Sequence, residues 1–89
     1  MLFLIACEWT TAPDIPATVT RMKECFRFCT ALQGVKINRS YAGCDFYSTF
    51  NGCTALQNGG IKVPSGDLGT YQTNAGTMGT TADKFSAIP

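Results

Sequence analysis

The sequence predicts an α+β domain with an N-terminal strand, one amphipathic helix, a small antiparallel β-meander and an extended C-terminal arm. Three observations predict it: an apolar run opens the chain, apolar residues recur at helical spacing over residues 15–33, and short extended pieces separated by glycine turns follow Gly34. A length of 89 residues is that of one domain. We therefore expect residues 1–63 to form its compact α+β part, and residues 64–89 to form an arm or tail of the same domain.

Residues 2–9, LFLIACEW, predict the first strand. They form a short apolar run with aromatic ends, which Thr10, Thr11 and Pro13 stop. A continuous apolar run is typical of a strand buried on both faces, so we expect it in the centre of a sheet or at an interface. The run is too short to span a bilayer, and it lacks the basic leader of a secretory signal.

The clearest helix pattern lies between Asp14 and Gly34. Asp14 can cap the first turn, and Gly34 can adopt the left-handed conformation that often ends a helix. Between them, apolar residues recur at spacings of three and four, which lays one stripe along a helix and predicts a face buried in the core. The stripe consists of Ile15, Val19, Met22, Phe26 and Cys29, and it is widened by Cys25, Phe28 and Leu32.

Residues 35–41 and 44–50 predict two strands of the antiparallel meander, because apolar and polar side chains alternate along them. The Asn-Gly pair at 51–52 accepts the positive φ of a two-residue hairpin turn. Residues 53–57 either pair back as a strand or form a short helical turn. After another glycine turn, residues 61–63 return as the last strand of the meander.

A segment of the predicted helix is repeated 24 residues further on. The sequence CTALQGVKI at 29–37 recurs as CTALQNGGIKV at 53–63, with five identical residues followed by glycine and an apolar-Lys-apolar triplet. The echo is either a duplicated unit, in which a short element ends at glycine and leads into a strand, or a chance similarity. Duplication favours a helical turn over a strand at 53–57. A solenoid usually needs at least three copies, and only two are clear.

The arm is predicted from composition. Residues 64–89 are rich in glycine and threonine and have little apolar periodicity, and residues 68–82 carry no charged side chain. Such a segment is either disordered or an extended arm lying on another surface. We favour the arm, and the candidate contacts with a neighbour are its isolated apolar side chains: Leu68, Tyr71, Met78 and Phe85.

The five cysteines allow several states. An odd number leaves at least one thiol free or bonded to another chain. Cys25 and Cys29 lie one helical turn apart and can form disulfides with Cys44 and Cys53, in an order that the sequence does not fix. Alternatively, the thiols are free and buried as small hydrophobic groups. A zinc site is disfavoured because it needs four ligands, usually in close pairs, and the chain has no histidine and one such pair. We predict no metal or cofactor.

The side chains argue against an enzyme. Without histidine there is no imidazole base for a serine or cysteine nucleophile, and the sequence contains no close pair of acids and no phosphate-binding loop. A net charge of +1 with scattered basic residues argues against nucleic acid as a partner. The charged fraction of 15% is low against a usual ~25%, and a charge-poor surface favours a protein covered by neighbours.

We therefore predict a non-catalytic structural or accessory subunit of a larger assembly, such as a virus particle, a filament or a multi-subunit complex. Its partners would be other proteins or further copies of itself. One alternative is a small secreted, disulfide-stapled binding or toxin-like module. Another is a small ligand-binding domain with a pocket between helix and sheet, near Phe26, Phe46 and Phe50. The sequence does not indicate a cellular compartment.

Overall fold

Three short parallel strands on one side of the molecule define the architecture. The computed structural model describes residues 10–12 and 14–88, so the strand predicted at the N-terminus lies outside the described residues. Strands β1 (Val35–Lys36), β2 (Ile61–Val63) and β3 (Phe85–Ala87) form one sheet in the order β1-β2-β3. Both pairs of neighbouring strands are parallel. The predicted antiparallel meander is therefore wrong.

Each strand lies beside the next one along the chain, and the intervening segment leads back to the same side of the molecule. Val35 pairs with Ile61, and Ile61 pairs with Phe85. We term each such passage a circuit: the first ends at Gly34, the second spans residues 35–60 and the third spans residues 61–84. Stacked circuits of this kind form a short solenoid. Isolated parallel bridges extend the ladder to the first circuit, joining Thr11 to Gly34 and Ile15 to Ile37.

The helix predicted over residues 15–33 is also wrong. The chain there forms a succession of tight turns, in which a backbone N–H donates to the carbonyl three residues earlier. Such turns direct an apolar side chain inward every three or four residues, so they reproduce the spacing of a helical stripe. The bonds run from Cys25 to Met22, from Cys29 to Phe26 and from Leu32 to Cys29, with N···O distances of 3.1, 3.0 and 3.1 Å.

Two residues with left-handed backbone interrupt any helix in the first circuit. Glu24 has φ of 58° and Phe28 has φ of 61°, whereas helical residues lie near −63°. The Phe28 side chain is 61% exposed, so it does not belong to the buried stripe. Gly34 does not end a helix and has no positive φ. Its role is close packing against the next circuit, which is described with the groove below.

The second circuit repeats the backbone of the first at an offset of 24 residues. Thr49 N donates to Phe46 O, Cys53 N to Phe50 O and Leu56 N to Cys53 O, which match the three turns of the first circuit. The left-handed positions recur as well, at Ser48 and Gly52. Residues 44–50 are therefore turns, where a strand was predicted. The sequence echo marks two equivalent circuits that stack on one another.

Residues 64–88 form the rest of the third circuit and β3, where an extended arm was predicted. Within the described chain, the single α-helix is α1 (Leu68–Thr73), and 3₁₀ turns precede α1 and β3 at Ser65–Asp67 and Ala82–Lys84. The third circuit is hydrogen-bonded to the second, since Ser48 N donates to Thr77 O and Phe50 N to Met78 O. The helix replaces the turns of the earlier circuits, which explains why no third copy of the echo is visible in the sequence.

The core lies inside the circuits. Phe26 and Phe50, 24 residues apart, stack with ring centroids 5.5 Å apart and planes 8° from parallel. Thr49 is the buried polar residue within the described chain, and its hydroxyl lies 2.9 Å from Met22 O and 2.6 Å from Phe46 O. No buried side-chain nitrogen or oxygen of the described residues lacks a hydrogen-bond partner.

Candidate binding groove

A groove of about 400 Å³ lies on the outer side of β1 and β2, next to the chain that enters these strands. Val35 and Ile61 point into the core, and alternation along the strands turns Lys36 and Lys62 outward. All three circuits contribute to the groove, which places it across the stack. Its lining residues are Thr11, Ala12, Asp14, Gln33, Gly34, Val35, Lys36, Gln57, Asn58, Gly59, Gly60 and Lys62.

Two glycines form the floor of the groove, where neighbouring circuits approach most closely. A Cβ at Gly34 would lie 2.7 Å from Gly60 O, and a Cβ at Gly60 would overlap the carbonyl oxygen of Gln33. Val35 N donates to Gly60 O at 3.1 Å and joins the circuits at this point. The glycine that follows each copy of the echo is thus required for stacking, and it leaves backbone exposed at the bottom of the groove.

Two lysines lie side by side on the wall of the groove. Lys36 and Lys62 are partners in the register of β1 and β2, and neighbouring strands lie about 4.8 Å apart. The Lys62 ammonium lies 3.4 Å from Gly59 O and 3.5 Å from the Ser86 hydroxyl of β3. Among the residues that the structure describes, the Lys36 ammonium makes no hydrogen bond or ion pair. The strands therefore bring two cations together without a carboxylate between them.

A third lysine and one acid flank this pair. The Lys84 ammonium donates to the side-chain oxygen of Asn58, a lining residue, at 3.1 Å. Asp14 lines the groove from the first circuit. In the described part of the chain, no ion pair joins Asp14 to a lysine, and the ion pair found there links Arg27 to Glu24 on the turns of the first circuit. The groove is thus more cationic than anionic.

The remaining polar groups suit hydrogen bonding. The exposed side chains of Gln33, Gln57 and Asn58 each carry both a donor and an acceptor. Together with the lysines, they can bind an anionic or amide-bearing ligand. No group of three metal-ligating side chains occurs within the described residues. The described lining residues include neither a nucleophile beside a base nor a pair of acids.

None of the described cysteines lines the groove. Cys44 and Cys53 are free thiols, whereas Cys29 is disulfide-bonded. The predicted pairing of Cys25 and Cys29 with Cys44 and Cys53 is therefore not formed in this structure. Burial, followed by the charge of Cys44, raises the pKa of Cys25. Burial raises the pKa of Cys53 to about 11, and its thiol donates to Phe26 O at 2.8 Å.

The structure places the predicted arm contacts inside this chain. Tyr71, Met78 and Phe85 belong to the buried core, and Leu68 packs against it. The Tyr71 hydroxyl donates to Arg39 O at 2.7 Å, which ties α1 to the second circuit. These side chains close the core at the third circuit, so they face their own chain and not a neighbour.

The ligand pocket suggested by the sequence near Phe26, Phe46 and Phe50 is filled by these three side chains themselves. Phe26, Phe46 and Phe50 are all buried, and Phe46 also packs edge-on against Tyr71 with centroids 5.5 Å apart. These rings form part of the core, and none of them lines the groove on the strands.

Sequence reasoning missed the lysine pair because it treated the basic residues as scattered. The signal was present in the echo, whose two apolar-Lys-apolar triplets contain Lys36 and Lys62 at the same position. If the echo had been interpreted as stacked circuits, the triplets would have become neighbouring strands and the lysines an outward-facing pair.

Comparisons of the chain with protein-family models, with curated proteins and with solved structures found no match. Among the described residues, no helix has the length and apolar character needed to cross a membrane. The functional argument therefore rests on the geometry of the groove.

Proposed function

We propose that this protein is a non-catalytic accessory subunit that binds a protein partner through the groove on its strand face. Solenoids commonly bind partners along the surface that their stacked strands create. Here the floor of the groove is built on paired backbone and close-packed glycines, so its backbone is held in place before a partner arrives. Rigid presentation lowers the entropy cost of binding.

The observation that carries the proposal is the pairing of Lys36 with Lys62. Like charges directly opposite on neighbouring strands destabilise a sheet. No carboxylate of the described residues forms an ion pair with either lysine, although Asp14 lines the same groove. A costly arrangement at the wall of a groove is typical of a binding site, and a partner that supplies the missing charge would stabilise it.

One observation favours a related second candidate, a secreted binding module. The disulfide at Cys29 would persist in an oxidising compartment, where small secreted domains commonly use such bonds. Alkylation of the unreduced and the reduced protein, followed by mass spectrometry, tests this candidate. Protection of Cys29 before reduction would support it, and full alkylation of Cys29 in the unreduced protein would exclude it.

Selection from a random-peptide library tests the proposed function. The folded protein is expected to enrich peptides that bind in the groove. Gln57→Trp places a bulky ring at a lining position and should abolish their binding. Thr54→Trp is the matched control, because Thr54 is exposed on the same circuit but does not line the groove.

The proposal is supported if the enriched peptides bind the wild type and Thr54→Trp equally and lose affinity for Gln57→Trp. Binding to all three proteins with the same affinity would place the binding site elsewhere. Failure to enrich any peptide above the background of an empty support would also contradict the proposal. Circular dichroism of both variants establishes that they remain folded.

A further inference from the structure

We infer that the partner of the groove is an acidic polypeptide segment, whose carboxylates lie between the ammonium groups of Lys36 and Lys62. The inference rests on the proposed function, because it specifies the chemistry of a ligand at the same site. It is carried by charge complementarity: two cations in register, a third at the edge and no internal carboxylate paired with the two in the described chain.

The positions of the lysines set where negative charge is needed. Lys62 is oriented by contacts with Gly59 O and the Ser86 hydroxyl, so its ammonium stays near the sheet. Lys36 is its neighbour on the next strand and has no partner within the described residues. A carboxylate placed between them accepts hydrogen bonds from both ammonium groups. Charge-assisted bonds of this kind are stronger than neutral ones.

The uncharged part of the groove favours a peptide over a nucleic acid. Gln33, Gln57 and Asn58 can pair with backbone N–H and C=O groups of an extended chain. Single-stranded nucleic acids are usually held by aromatic rings on which the bases stack, and the described lining residues include no aromatic side chain. The exposed rings of Phe28 and Tyr47 lie outside the groove.

Those two rings are already occupied by cations of the first circuit. Arg27 lies over Phe28 with its guanidinium carbon 4.7 Å from the ring centroid, and the Lys23 ammonium lies 5.8 Å from the centroid of Tyr47. Lys23 and Arg27 thus have aromatic neighbours, whereas no ring of the described chain lies over Lys36 or Lys62. This contrast distinguishes the groove as the place for an external anion.

Asp14 determines the polarity of the bound segment. It lines the groove from the first circuit, while the lysines belong to the second and third circuits. An acidic residue of the peptide is repelled at the Asp14 end and attracted at the lysine end. We therefore expect a segment with acidic residues at one end and a neutral or basic residue at the other.

Fluorescence anisotropy with labelled peptides tests the inference. The probes are hexaglutamate, its neutral counterpart hexaglutamine, and a ten-nucleotide thymidine strand. The variant Lys36→Gln with Lys62→Gln removes the lysine pair, and Arg21→Gln with Lys23→Gln removes the same charge outside the groove. Hexaglutamate should bind the wild type and the control with equal affinity, and the groove variant at least about tenfold more weakly, because each lysine supplies a charge-assisted hydrogen bond.

The other outcomes overturn the inference. Equal weakening in both double variants would show attraction by net charge alone. Hexaglutamine binding as tightly as hexaglutamate would remove the acidic requirement, and thymidine binding that depends on the lysine pair would replace a peptide by a nucleic acid. If hexaglutamate fails while library peptides still bind in a manner sensitive to Gln57→Trp, the acidic class is wrong and the proposed function stands.

Discussion

Close packing at Gly60 determines how the first and second circuits meet. The carbonyl oxygens of Gln33 and Gln57 occupy the space that a Cβ would need, the latter at 2.9 Å, and both belong to backbone that cannot rotate away. Backbone conformational freedom is not the reason for glycine here, since Gly60 has no positive φ. Glycine is required here because the first and second circuits approach each other so closely at the floor of the groove that no side chain fits.

Gly60→Ala is expected to lower the free energy of unfolding by roughly 1–3 kcal/mol, as overpacking does in a well-packed site. Gly66→Ala is the control, because no atom lies within 4 Å of its added Cβ and its φ is not positive. That control should be neutral or slightly stabilising, since alanine restricts the unfolded chain. Urea denaturation measures both changes. Equal stabilities for the two variants would contradict close stacking of the circuits.

The repeated three-residue turns make the secondary structure of this chain difficult to predict from its sequence. The apolar spacing of residues 15–33 predicts a buried stripe, whose members are buried except for Phe28 and the partly buried Cys25, yet the chain forms three-residue turns rather than a helix. The echo identified residues that occupy equivalent positions, but two copies were not enough to indicate a solenoid. Local patterns therefore predicted most of the buried residues of the first two circuits. The direction of strand pairing depends on long-range contacts, which those patterns do not contain.

A left-handed residue in each circuit distinguishes these turns from a helix or a strand. Ser48 has φ of 53°, a conformation that costs an ordinary L-residue about 1–2 kcal/mol. Ser48→Gly is therefore expected to leave stability unchanged or raise it by up to about 1 kcal/mol, because glycine adopts this φ without strain. In a true strand, the same change would be destabilising.

Thr54→Gly supplies the comparison for that prediction. Thr54 is exposed on the same circuit and does not have a positive φ, so glycine there only adds freedom to the unfolded chain. We expect this variant to be less stable than Ser48→Gly in thermal denaturation. If Ser48→Gly is the less stable of the two, the turn described at this position is wrong.

Over the whole molecule, burial of ionisable side chains favours their neutral forms. The pKa of Tyr71 is raised chiefly by burial, and burial also raises the pKa of Cys25, Cys44 and Cys53. A raised pKa in the folded state means that the unfolded chain ionises first as the pH increases. Stability is then fully present below the ordinary pKa of these groups and is lost in the alkaline range.

The free energy of unfolding is accordingly expected to decline as the pH rises past 10.0, the ordinary value for tyrosine. Tyr71→Phe should be less stable at neutral pH, because it loses the hydrogen bond to Arg39 O, but its decline above that pH should be shallower. Urea denaturation between neutral and strongly alkaline pH measures both slopes. Identical slopes in the two proteins would show that Tyr71 does not contribute.

The groove depends on all three circuits, which is why it could not be predicted from any one segment. The echo contains both lysines of the groove, but they become neighbours only because β1 and β2 pair in parallel. The floor of the groove forms only where Gly34 and Gly60 pack against each other. The candidate contacts chosen from the C-terminal composition were isolated apolar residues, and the third circuit buries them. Sparse charge predicted a surface covered by neighbours, and the surface with a specific arrangement of charge is the one that contains Lys36 and Lys62.

The most direct test of the account is a titration of the ¹⁵N-labelled protein with an acidic peptide, followed by amide chemical shifts. The account predicts that the largest changes fall on two segments that only parallel stacking brings together, residues 33–36 and 57–62. Small changes are expected for residues 23–28, on the turns of the first circuit. Changes concentrated in residues 23–28, or none at saturating peptide, would contradict a binding groove on the strand face.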